Sequence, residues 1–244
     1  LNLVVAGNVS GLVDTLVTGF NAAGHVQTNS GNLAVKNVDL NFYDACTGER
    51  IPTANDNTDA AGNYSIYVPS GTYSVLYSPP RCQALVADHQ TNVSITRDQA
   101  LGTTKLVAGD TVTGRVLDNL GAPLPETKIK FFASNNGQRQ YAAHDNTDVA
   151  GNYSIRVPSG TYDLNFEPPR FRDLLVQRVL NVVVAGSAAV GDVTLPAGIP
   201  VSGQILDPSN IPVQNVNINA VDSATRAAQR LAHDSTAVDG IFRV

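Results

Sequence analysis

A chain of 244 residues is long enough for two or three domains, and a composition of 43% hydrophobic and 15% charged residues with a net charge of −5 excludes disorder. Its 16 basic residues are outnumbered by 21 acidic ones and form no run, which argues against nucleic acid as a partner. No apolar stretch approaches the roughly 18 residues that a membrane-spanning helix needs.

Taken in chain order, the sequence repeats itself. Leu1 to Leu16 (LNLVVAGNVSGLVDTL) resembles Leu180 to Leu195 (LNVVVAGSAAVGDVTL), so residues 1–18 read as the closing strands of a preceding repeat. In the next unit Val38, Leu40 and Phe42 alternate with polar residues, as do Tyr64, Ile66 and Val68, and then Tyr73, Val75 and Tyr77. Period-two alternation marks strands with one buried and one wet face. Asp59 to Gly62 predicts a turn, and Pro69-Ser70-Gly71 predicts a tight hairpin between the second and third of these strands.

The same words return 89 residues on. Asp56 to Tyr73 reads DNTDAAGNYSIYVPSGTY and Asp145 to Tyr162 reads DNTDVAGNYSIRVPSGTY, identical at sixteen of eighteen positions. A third copy begins at Asp234 (DSTAVDGIFRV). Gly24, Gly114 and Gly203 keep the register, and Gly19, Gly109 and Gly198 stand at the short joints. The expected organisation is therefore 1–18, a repeat over 19–108, a second over 109–197, and the opening half of a third over 198–244. A unit of about 90 residues can enclose its own core, so these are tandem domains and not solenoid turns. The lack of an initiator Met and the phase of both ends predict that the sequence is a piece of a longer array. The best helical window, Ser223 to Leu231, is one short element at most. The fold class is all-β, an array of antiparallel β-sandwiches with short, stiff joints.

Chemistry is sparse. There is no Gly-x-Ser-x-Gly elbow, no zinc-protease motif and no phosphate loop. Of His25, His89, His144 and His233 only the last two occupy equivalent positions, one repeat apart, and all four read as surface or turn residues, with no metal expected. Asn55, Asp56, Asn57 and Asp59, with Asp145, Asn146 and Asp148, offer oxygens that calcium could use, yet Asp and Asn also close turns unaided. Cys46 and Cys82 both lie in the first repeat, where the second has Asn135 and Phe171. Their joint presence favours a disulfide over two independent buried thiols, and a disulfide would point to an oxidising compartment. The sequons at Asn8, Asn63, Asn92 and Asn152 recur partly because the repeat does.

The string T-D-x-x-G-x-Y-x-I-x-V-P-x-G-T-Y, carried by Thr58 to Tyr73 and Thr147 to Tyr162, resembles the carboxypeptidase regulatory-like domain family. The third copy departs from it by placing Ala237 where the aspartate stands. The resemblance implies a transthyretin-like fold close to the CnaB modules of bacterial surface proteins. CnaB modules also carry Lys–Asn crosslinks, for which Lys36, Lys128, Lys130, Asn92 and Asn181 are the candidates. No acid in an evidently buried strand position supports one here.

The expected function is a non-enzymatic, extracellular stalk, spacer or fibre segment without cofactor, whose partners are neighbouring domains or subunits of the same protein. Strand addition between subunits would make it a polymer. The alternatives are an adhesin module that binds a cell-surface glycan or protein, and an accessory region of a large secreted hydrolase.

Overall fold

A computed structural model describes residues 18–170 and 172–244 of the protein. The first repeat comprises β1 (Phe20–Thr28), β2 (Asp39–Asp44), β3 (Arg50–Ile51), β4 (Asn63–Val68), β5 (Gly71–Ser78), β6 (Asp88–Ile95) and β7 (Gln99–Leu106). The second comprises β8 (Asp110–Leu117), β9 (Lys128–Ala133), β10 (Arg139–Gln140), β11 (Asn152–Val157), β12 (Gly160–Glu167), β13 (Gln177–Val184) and β14 (Ser187–Thr194). The third copy contributes β15 (Ser202–Gln204), β16 (Ala220–Val221), β17 (Ala228–Gln229) and β18 (Ile241–Arg243). The protein is all-β. The stretch read as a helical window is the turn and hairpin of β16 and β17, opened by Asp222, whose carboxylate caps the backbone N–H groups of Ala224 and Thr225. The expected closing strands over 1–18 lie, but for Thr18, outside the described residues.

Each of the first two repeats is a sandwich of a three-stranded and a four-stranded sheet, ordered β4-β1-β7 on β3-β2-β5-β6, then β11-β8-β14 on β10-β9-β12-β13. The alternating residues close the cores. Val38, Leu40, Phe42, Ile66, Val68, Val75 and Tyr77 are fully buried, as are Phe131, Ile155, Leu164 and Phe166. Burying one such side chain contributes about 1.5–3 kcal/mol.

Two features of the topology differ from the expectation. The Pro69-Ser70 turn is not a hairpin: β4 pairs with β1 while β5 pairs with β2 and β6, so the chain arches from one sheet to the other. Alternation predicts a strand's buried face but not which sheet it joins. The arch is clamped by Tyr73, whose hydroxyl donates to the Pro69 carbonyl (2.6 Å), as Tyr162 does to Pro158 (2.9 Å). The pairing is also not wholly antiparallel. β7 runs parallel to β1, with Ala22 facing Gln99 and Thr28 facing Leu106, and β14 runs parallel to β8. Each repeat is therefore entered at one pole and left at the other.

Recurring letters become recurring contacts. Thr58 is buried; its hydroxyl accepts from the Val38 N–H (2.9 Å) and donates to the Val35 carbonyl (2.6 Å), tying the turn before β2 to the Asp56–Asp59 loop. Thr147 repeats this with Thr127 and Leu124, and Thr236 with Val216 and Val213. Gly24 and Gly114 have no side chain because a Cβ there would collide with the Tyr64 and Tyr153 hydroxyls respectively. Tyr64 is bonded to Tyr77 across the core at 3.2 Å. In the second repeat Phe166 stands where Tyr77 does, and the buried Tyr153 hydroxyl has no partner among the described residues.

Thr147→Val should destabilise the second repeat by about 1–3 kcal/mol in urea unfolding, because two buried backbone groups lose their partner, whereas Thr147→Ser keeps most of the stability. Tyr153→Phe should be neutral or stabilising in the same assay, while Tyr64→Phe costs about 1 kcal/mol by stripping Tyr77 of a bond. Equal losses from the two tyrosine variants would contradict the assigned contacts.

Candidate functional site

The residues expected to bear chemistry do not converge. Asp59 Oδ1 accepts from the backbone N–H groups of Ala61 (2.9 Å) and Asn63 (2.8 Å), and Asp148 does the same for Ala150 and Asn152. Asp56 accepts from Thr53 and lies 3.6 Å from Arg50. These oxygens are engaged in turn closure. Among the described residues no three His, Cys, Asp or Glu side chains form a group able to hold a metal ion. Lys128 pairs with Asp145 at 3.4 Å and Lys130 with Glu167 at 2.7 Å, while Asn92 and Asn181 are exposed and hold left-handed backbone in edge strands.

The expected Cys46–Cys82 disulfide is corrected by the strand pairing. Both thiols are free and exposed. Cys46 follows Asp44, whose carboxylate is held below its usual range by the backbone N–H groups of Thr47 and Cys46. Asp44 faces Tyr73 across the β2–β5 pair, whereas Cys82 lies beyond Ser78, which faces Asp39. Because β2 and β5 are antiparallel, the loops that follow them leave at opposite poles. The five intervening steps span about 17 Å at 3.4 Å each, against the roughly 7 Å that a disulfide tolerates between Cα atoms. The inference of an oxidising compartment loses its support with the bond.

What does recur in space is the joint between repeats. β5 is followed by Pro79-Pro80, and the segment after them pairs with the link to the next repeat. Leu85 bridges Ala108, the Val86 N–H donates to the Val107 carbonyl (2.9 Å), and the Gly109 N–H donates to the Ala84 carbonyl (3.0 Å). At the second joint Leu174 bridges Ala197, Leu175 donates to Pro196 (2.8 Å), and Gly198 donates to Asp173 (2.8 Å). These are the same bonds moved along by 89 residues. Gly109 sits where a Cβ would overlap Val86 and come within 2.9 Å of the Val157 carbonyl, so the two repeats meet at bare backbone.

A histidine closes each joint. His144 Nε2 lies 3.1 Å from the carbonyl of Pro79 in the preceding repeat, and His233 Nε2 lies 2.9 Å from that of Pro168. Against a carbonyl the ring nitrogen must carry the proton and donate. These histidines were expected to be mere turn residues. The signal for their role was in the sequence: both His–Pro pairs are separated by 65 positions, and Asn55 holds the same left-handed place in the first repeat.

The flanking contacts differ. At the first joint the His89 ring stacks on Tyr141 with centroids 3.6 Å apart, and the Arg139 guanidinium lies 4.3 Å from the Tyr141 ring. Burial, then the nearby charge of Arg139, pushes the His89 pKa down, which favours a neutral ring in this stack. At the second joint Arg243 pairs with Asp173 at 2.7 Å.

The sequence model of the carboxypeptidase regulatory-like domain matches residues 111–196, which is the second repeat. No curated protein matches the chain. Among solved structures, the Bacillus anthracis TIE protein is 12% identical over 93% of this chain and 43% of its own, with a TM-score of 0.29; the chain thus spans less than half of that protein. The shaft pilin SpaA of Lactobacillus rhamnosus GG is 12% identical over 78% of this chain and all of its own, with a TM-score of 0.29. A streptococcal ancillary pilin is 10% identical over 93% and 86%, again at 0.29. Likenesses at that level carry no functional weight.

The corrected cysteine geometry has a direct readout. A thiol-reactive reagent should titrate both Cys46 and Cys82 in the folded protein without reductant, and the Cys46→Ser, Cys82→Ser double variant should match the parent in stability. A titre of zero thiols under these conditions would restore the disulfide.

Proposed function

We propose that the chain is a non-enzymatic structural array outside the cell, a stalk or spacer that holds other parts of its protein at a set distance. The observation that carries this is the identity of the two joints: the same backbone bonds, the same His–Pro contact and the same close approach at glycine recur after 89 residues. A backbone frame that recurs at both joints favours a similar step each time, and the parallel first and last strands make every step an advance. Mechanism here is geometric, with sandwiches as rigid beads and double-proline joints that resist bending. The extracellular setting follows from the resemblance of the T-D-x-x-G-x-Y repeat to modules of bacterial surface proteins. Strand addition between subunits would use residues 1–17, outside the described part of the chain; electron microscopy tests it, and monodisperse short rods reject the polymer.

Small-angle X-ray scattering tests the rod. Three units advancing about 30 Å each, from strand lengths near nine residues, should give a radius of gyration of about 25 Å. A compact globule of this length would give about 18 Å. A measured value near the lower figure would reject the stalk.

A further inference from the structure

The two joints share a backbone frame but not the layer that lies over it. On the outer face of the four-stranded sheet of the second repeat, Asn165 of β12 lies between Lys130 of β9 and Arg178 of β13 in the cross-strand register. In the first repeat those places are taken by Leu76, Asn41 and His89, and Tyr141 of the following repeat stacks on His89. At the second joint the residue equivalent to Tyr141 is Arg230. An aromatic lid has become a charged one.

Beneath that lid is a cavity lined by Lys130, Arg139, Asn165, Glu167, Arg230 and Asp234. Three cations face two carboxylates, and Glu167 is already engaged by Lys130 at 2.7 Å. Neither Arg139 nor Arg230 makes an ion pair among the described residues; the Arg139 guanidinium lies over the Tyr141 ring at 4.3 Å, a contact to its face that uses none of its N–H donors. Among the described residues the buried Arg139 Nε–H has no acceptor. Asn165 is only 4% exposed, and its Oδ1 likewise has no partner. Leaving a buried guanidinium N–H unpaired is costly, so an occupant that accepts from it is favoured. An amide can turn about its terminal bond, so Asn165 can offer its N–H donors to that occupant.

We propose that this cavity binds a small oxyanion, held by the Arg139 and Arg230 guanidiniums with the Asn165 amide as a third donor. The planar fork of arginine matches the paired oxygens of phosphate, sulfate and carboxylate alike. Arg139 and Asn165 belong to the second repeat and Arg230 to the third copy. The bound anion therefore bridges the joint and takes the place that the His89–Tyr141 stack fills at the first. Binding stiffens the second joint, which makes the stalk responsive to an anion at one of its two bends.

The test is isothermal titration of the whole 244-residue chain with sodium sulfate, sodium phosphate and sodium acetate, at ionic strength held constant with sodium chloride. The expected result is saturable binding of one equivalent, weakened about tenfold or more in Arg139→Gln and in Arg230→Gln, as loss of a charge-assisted bond implies. Arg230 is exposed, so its variant should fold even if the Arg139 variant does not. The exposed Arg97→Gln should bind as the parent does. Binding of sulfate and phosphate in preference to acetate assigns the site to free tetrahedral anions; equal or better binding of acetate assigns it to carboxylates, including those of acidic side chains. Heats that never saturate, or that are the same in Arg230→Gln as in the parent, overturn the proposal and leave only a general salt effect.

Discussion

The first and last strands of each repeat lie side by side and run in the same direction, and the rest of the architecture depends on that pairing. Hydrogen bonds between β1 and β7 fix the exit of the chain beside Thr28, a full strand length from its entry at Phe20. Had β7 paired antiparallel, the chain would leave a repeat where it came in, and successive sandwiches would fold back on each other. The second repeat makes the same choice with β8 and β14. A series of such units can only advance.

Advance alone does not make a rod, since a free link would let each bead swivel. In the proposed stalk the joint would restrain that freedom by engaging backbone groups on both sides of the link. The segment after the double proline pairs with the link itself, a histidine reaches back to a proline carbonyl, and glycine admits the next repeat to contact distance. None of these contacts is large. Their effect comes from being placed at one short hinge, where every bond restrains the same few dihedral angles.

Within each bead the recurring words of the repeat are mostly internal scaffolding. Thr58 and Thr147 tie one loop to another, Tyr73 and Tyr162 clamp the arch, and Asp59 and Asp148 close turns through their own backbone. The segments that look most like a site are therefore those most occupied with folding. Variation lies at the joints instead, where Leu76, His89 and Tyr141 of one become Asn165, Arg178 and Arg230 of the next. The frame is held constant while the covering layer changes, and that layer is where the two joints can differ in what they bind.

From the sequence alone came the repeat, its period, the all-β class and the buried face of each strand, because alternation and self-similarity are local properties of the residue string. The turn at Asp59 and the register of Val38, Leu40 and Phe42 were legible for that reason. The His–Pro contact was half-legible: its spacing recurs, but nothing in the string says that residues 65 apart meet across a joint. The separation of Cys46 from Cys82, the arch at Pro69 and the parallel β1–β7 pair were decided only by tertiary structure. Each depends on which strand lies beside which and in what direction, and hydrophobic pattern is blind to both. The same local words, Val-Pro-Ser-Gly-Thr-Tyr, serve a hairpin or an arch equally well, and only the packing of two sheets around one core selects between them.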